Sequence, residues 1–147
     1  MQADQLPKTF PMASITRVAA GALVEAARTE ARKLNIEVTI AITDAAGCLK
    51  ALDRTDGAPF LTVDVAIDKA WTAASFGLPT HLWAAALADG KVAQMAHRPR
   101  LVAVGGGCPI IDDARVVGGI GISGGTTAQD QQAAEAALKS LGFDVRT

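Results

Sequence analysis

Apolar residues recur at Ile15, Val18, Ala19, Ala22, Leu23, Ala26 and Ala27, the three-and-four spacing of an amphipathic helix. Ser14 precedes them as a candidate N-cap, and the pattern predicts a helix ending near Leu34 and Asn35. The period then changes. Val38, Ile40 and Ile42 alternate with Thr39 and Ala41, as in a strand with one buried face. Asp44-Ala45-Ala46-Gly47 supplies a turn, and Cys48 to Leu52 returns as a second strand. Asp53 to Pro59 is polar and turn-rich. Helical spacing resumes from Leu61 to Phe76, stopped by Gly77 and Pro79, and Thr80 caps a further helix running to Asp89-Gly90. Short strands are expected at Leu101 to Val104 and Cys108 to Ile111, and a longer one at Arg115 to Ile122, with Asp112-Asp113 at the turn. Thr127 and Asp130 resemble an acidic capping box opening a final helix to Leu141.

Strands joined by short turns, with helices outside them, imply an antiparallel sheet of about five strands flanked by helices, an α/β chain of the α+β kind. Residues 1 to 13, with Pro7 and Pro11 and no periodicity, are expected to form an N-terminal arm, and residues 14 to 147 one domain. The 147 residues are 50% apolar, much of it alanine, and only 4% aromatic, so close helix contacts and tight subunit interfaces are expected. A net charge of −1 offers nucleic acid no basic face. No apolar run approaches the length of a membrane span and no signal segment is visible, so a cytoplasmic protein without membrane partners is expected. Cys48 and Cys108 are expected to be free thiols.

The run from Gly105 to Gly125 is the most unusual segment. Gly119 to Gly124 spells G-x-G-x-x-G, but a dinucleotide site needs a further parallel strand and an acidic residue about 20 positions on, for which no chain remains. Gly121 to Gly125 spells G-x-S-x-G, but no histidine follows Ser123 to complete a triad. Two readings stay open: tight packing of strand on helix, or close approach of a ligand. Ser123-Gly124-Gly125-Thr126 leads into a helix N-terminus, which suits a carboxylate. Two histidines make a poor structural zinc site, whereas haem needs a single axial ligand. His81, His97, Cys108 and Cys48 are candidates, Met95 a weaker one. Lys69, beside Ala70 and Trp71 on an apolar helix, could bind a carboxylate or act as a base with a lowered pKa.

Taken in order, Asp44-x-x-Gly47, Arg54-x-Asp56-Gly57-Ala58, Lys69-Ala70-x-Thr72-Ala73, Pro79-Thr80, Gly106-Gly107-x-Pro109-Ile110 and Gly121-Ile122-Ser123-Gly124 resemble the GlcG/HbpS-like family, which includes PduO-type C-terminal domains. The resemblance runs from about Ser14 to Leu141. It implies a profilin-like fold, a homo-oligomer and, as in several members, a bound haem or related tetrapyrrole. It also implies ligand-binding roles for Arg54, Asp56, Lys69, Thr80, Pro109, Ser123 and Gly124, with Thr72 at a further motif position. Haem-binding members can use a histidine in or near the first helix, whereas here the first histidine is His81. Cys108 stands where the family often has an aliphatic residue, and Asp113-Ala114 where Asp-Gly is usual. The expected pocket lies between the glycine-rich segment and the Lys69 helix. It would hold haem, a corrinoid-like tetrapyrrole or another carboxylated apolar molecule, with iron ligated by His81, His97 or Cys108. The alternative is an enzyme acting on a small organic acid, with Lys69, His97 or Cys108 as acid, base or nucleophile.

Overall fold

The computed structural model describes residues 1–146. Its elements run α1 (Arg17–Lys33), β1 (Thr39–Asp44), β2 (Leu49–Arg54), α2 (Leu61–Phe76), α3 (Thr80–Leu87), a 3-10 turn (Ala93–His97), β3 (Gly107–Asp112), β4 (Arg115–Ser123) and α4 (Thr127–Ser140). The strands form one sheet in the order β2-β1-β4-β3, every neighbouring pair antiparallel. The mixed α+β architecture is as expected, but the strand count is four rather than five. Leu101 to Val104 is the missing strand. Its flank is satisfied by a side chain on α2 instead of a ladder: the Thr72 hydroxyl donates to Arg100 O (3.0 Å) and accepts from Val102 N–H (3.1 Å). Arg100, at φ 72°, turns the chain out of extended geometry just before the run.

Two caps also differ from expectation. Thr16, not Ser14, caps α1 by accepting from Ala19 N–H (3.1 Å), while the Ser14 hydroxyl accepts from Ala45 N–H (3.0 Å) in the β1–β2 turn. Thr126, not Thr127, caps α4, in a reciprocal box with Gln129. Asp130 is thereby released from capping and points inward. The β3–β4 turn places Asp113 and Ala114 at φ 51° and 61°, the left-handed geometry a two-residue hairpin turn requires, without the usual glycine.

The sheet's two faces are packed differently. On one, Ile40, Ile42, Ile110, Ile120 and Ile122 meet Leu23, Val24 and Ala27 of α1 and Ala133, Ala134 and Leu138 of α4 in the main core. Alanines on both helices allow close approach. On the other face, β4 presents glycines to α2. A Cβ on Gly119 would overlap Ala70 O, and one on Gly121 would overlap Ala66 O. The α2 backbone therefore rests on the sheet itself. Residues 1–13 carry no regular structure and are almost wholly exposed, including Phe10 and Met12. No helix among the described residues is long and apolar enough to cross a membrane.

Gly121→Ala is expected to cost on the order of 3 kcal/mol, because a rigid backbone carbonyl rather than a mobile side chain occupies the space. Gly90→Ala, where nothing lies near the added carbon, should leave stability within about 0.5 kcal/mol. Urea denaturation of both variants checks the contrast.

Candidate functional site

Close contact between α2 and β4 encloses Lys69, which is 2% exposed. Its Nζ donates to Ile122 O (2.8 Å) and to Asp130 Oδ2 (3.3 Å), while Asp130 Oδ1 accepts from Gly125 N–H (2.9 Å). One ion pair thus ties α2, the end of β4 and the start of α4 together. Burial pulls the Lys69 pKa below its usual value, and the Asp130 charge and hydrogen bond oppose that. Burial pushes the Asp130 carboxyl up, against the opposing pull of Lys69 and the Gly124 and Gly125 amides. Beside them, Thr80 Oγ1 accepts from Gly107 N–H (2.8 Å) and donates to Gly107 O (3.3 Å).

Lys69, Thr80 and Gly124 therefore lie at one packed node, and Ser123, next to Ile122 in the chain, is buried. The pocket expected between the glycine-rich segment and the Lys69 helix is filled: Gly106 abuts Lys69 Nζ, Asp130 Cβ and Ile122 O, and Gly124 abuts Glu37 O. Of the two readings left open for the glycines, tight packing holds at these positions. Pro109 is buried within β3.

Two open cavities lie elsewhere. One, of about 420 Å³, sits between the C-terminal end of α1 and the end of β2, and brings Arg54 and Asp56 together with Arg28 and Arg32. Arg28 is engaged by Asp53 (3.2 Å) and Glu25 (3.3 Å), whereas among the described residues neither Arg32 nor Arg54 has a carboxylate partner. The other, of about 430 Å³, opens between α3 and α4 and is bordered by His81, Gly105, Thr127, Ala128, Gln131, Gln132 and Glu135. His81 borders it, and its Nδ1 is buried without a hydrogen-bond partner.

Behind that wall Cys108 is 1% exposed. Gln131 Nε2 donates to Cys108 Sγ (3.1 Å) and to Glu135 Oε1 (2.9 Å), and its Oε1 accepts from Gly106 N–H (2.9 Å). Burial, reinforced by the Glu135 charge, pushes the Cys108 thiol up to about 12, so it stays protonated and weakly reactive near neutrality. His97 ends the exposed 3-10 turn that also carries Met95, and Cys48 is exposed in the β1–β2 turn. Among the described residues no three His, Cys, Asp or Glu side chains converge to hold a metal. Gln131 and Glu135 escaped sequence reasoning, and Asp130 was read there only as a capping residue. The available signal was the spacing of Gln131 and Glu135, which shares one helix face with Thr127 and Ala128.

Asp130→Asn should destabilise the fold by about 3–5 kcal/mol, since it strands a buried ammonium, whereas breaking the exposed Lys33–Glu30 pair with Glu30→Gln should cost under about 1 kcal/mol. Chemical denaturation measures both. In the native protein at pH 8, a thiol reagent should label Cys48 rapidly and Cys108 only upon unfolding, as peptide mass mapping of the labelled sites will show.

A solved double mutant of Streptomyces reticuli HbpS shares this fold with a TM-score of 0.85 and 30% identity, covering 97% of each chain. The crystal structure of a PduOC–haem complex matches with a TM-score of 0.81 and 27% identity, over 91% of this chain and 99% of the other. An uncharacterized 15.0 kDa protein of Citrobacter freundii, encoded between dhaT and dhaS, is 34% identical over 134 residues, which is 89% of this chain and 94% of its own. The family model described as "Haem degrading protein HbpS-like" matches residues 15–139. With that span, and with a fold and sequence similar to HbpS along nearly its whole length, the chain belongs to the HbpS-like family.

Proposed function

We propose that this protein binds haem, a related tetrapyrrole or another carboxylated apolar molecule in the cavity between α3 and α4, working as a homo-oligomer with His81 as the iron ligand. The observation that carries this reading is His81 itself. Of the three candidate iron ligands it borders the cavity between α3 and α4, whereas His97 stands on an exposed turn and Cys108 is buried, protonated and hydrogen-bonded to Gln131.

The residues present fit such a group. Gly105 and Ala128 keep bulky side chains off the wall, and His81, whose Nδ1 is buried without a hydrogen-bond partner, brings an imidazole to its border. The family match and the haem complex of PduOC, which shares this fold, support the same ligand class. Bound haem supplies a redox-active iron able to exchange ligands. The chain's own contribution is to present the imidazole and to hold Glu135 in the wall through Gln131. A flat ligand in an open cavity leaves one face uncovered, which favours a second copy as cover. Phe60 and Phe76, at the two ends of α2 and 84% and 70% exposed, supply apolar surface for such contacts.

A second reading, an enzyme acting on a small organic acid, is favoured by Arg32 and Arg54 at the other cavity, which have no carboxylate partner among the described residues and form a pair suited to a carboxylate. Lys69 and Cys108, its expected acid, base or nucleophile, are committed to internal partners.

Titration of the purified protein with hemin should give a saturable Soret shift. His81→Ala should weaken binding at least tenfold, about 1.4 kcal/mol, while His97→Ala and Cys108→Ala should bind like the parent. Absence of a saturable shift, or equal binding by His81→Ala, refutes the haem reading. Native mass spectrometry reports the subunit count in the same samples.

A further inference from the structure

The cavity between α3 and α4 has an uneven charge. Among the described residues Glu135 is the one carboxylate in its wall, and no lysine or arginine borders it. Glu135 is also held in place. Gln131 Nε2 donates to it at 2.9 Å, and the orientation of that amide is fixed from behind, because Gly106 N–H can be met only by the Gln131 oxygen (2.9 Å). Turning the amide over would set Nε2 against the Gly106 N–H and remove the donor from both Glu135 and Cys108. The cations that could receive an acidic ligand are elsewhere. Arg28, Arg32 and Arg54 border the other cavity, and Lys69 is occupied by Asp130 and Ile122 O.

Resting on the haem reading above, we infer that a tetrapyrrole enters this cavity with its carboxylates turned away from the wall, and that Glu135, clamped by Gln131, is the specificity-determining residue that sets this orientation. A ligand carboxylate brought into the cavity would face a like charge in a partly dehydrated setting, with no guanidinium or ammonium to offset it. The apolar, metal-bearing part of the ligand meets no such penalty. The cavity therefore selects for the body of the ligand and is indifferent to its acidic edge, which faces solvent or a neighbouring subunit.

The test compares hemin with hemin dimethyl ester, whose carboxylates are masked, by Soret titration of the full chain. The two should bind the parent protein within about threefold of each other, because the acidic edge makes no favourable contact. Glu135→Gln should change the affinity for either porphyrin by less than about threefold, because the carboxylates avoid this wall in the parent, whereas Glu135→Lys should create a preference for hemin of about tenfold by drawing a carboxylate onto it. Gln132→Lys, a change at an exposed position of the same wall, should create a preference for hemin of about tenfold by supplying the missing cation without disturbing the fold. An ester that binds the parent tenfold or more weakly than hemin overturns the inference and leaves the haem reading standing. Absence of a preference for hemin in both Glu135→Lys and Gln132→Lys also overturns it and leaves the haem reading standing. If neither porphyrin binds the parent, the haem reading falls and the inference falls with it.

Discussion

The structure depends on how closely α2 lies against the sheet. Gly119 and Gly121 bring the α2 backbone to the strand surface, with Ala66 O and Ala70 O occupying the space where Cβ atoms would stand. At that distance a lysine on the buried side of α2 has nowhere to extend except along the end of β4. Lys69 does so, and the cost of burying its charge is offset by Ile122 O and by Asp130. Asp130 in turn is turned inward because Thr126 and Gln129 satisfy the α4 N-terminus without it. The glycine stripe, the ion pair and the start of α4 are thus one construction, and it fixes where α3 and α4 stand relative to each other.

That construction determines where a ligand can go. In the glycine-rich segment, the most ligand-like part of the chain by composition, Gly106, Gly119, Gly121 and Gly124 are spent on packing, while Gly105 borders the cavity at His81. The open volume lies to either side. One cavity collects arginines and carboxylates at the mouth between α1 and β2; the other has a flatter wall, one imidazole and one carboxylate. Gln131 joins the second cavity to the glycine segment through Gly106 and Cys108, so the wall is only one side chain removed from the packed node.

Much of this was legible in the sequence, for identifiable reasons. The alternation from Val38 to Ile42 marked a strand with one buried core face, and the isoleucines of β4 pack against that same core between glycines that face α2. Lys69 stood out because an ammonium on an apolar helix needs a partner. The partner itself was hidden: Asp130 lies far along the chain and sits where a capping residue is expected, so local rules explained it away. Leu101 to Val104 looked like a strand by hydrophobicity, but its backbone neighbours are served by Thr72, a contact that no local pattern encodes. The cavity at His81 was illegible for the same reason, since it lies between α3 and α4, which are far apart in sequence, and is bordered by a polar helix face that reads, in sequence, as ordinary solvent-exposed surface.

The central claim, that the space between α3 and α4 takes a tetrapyrrole through His81, is tested most directly by a crystal structure of the hemin-loaded protein. The account predicts the macrocycle against Gly105 and Ala128 with iron bound to the His81 imidazole. Iron ligated by another residue, or a macrocycle seated at Arg32 and Arg54, would contradict it.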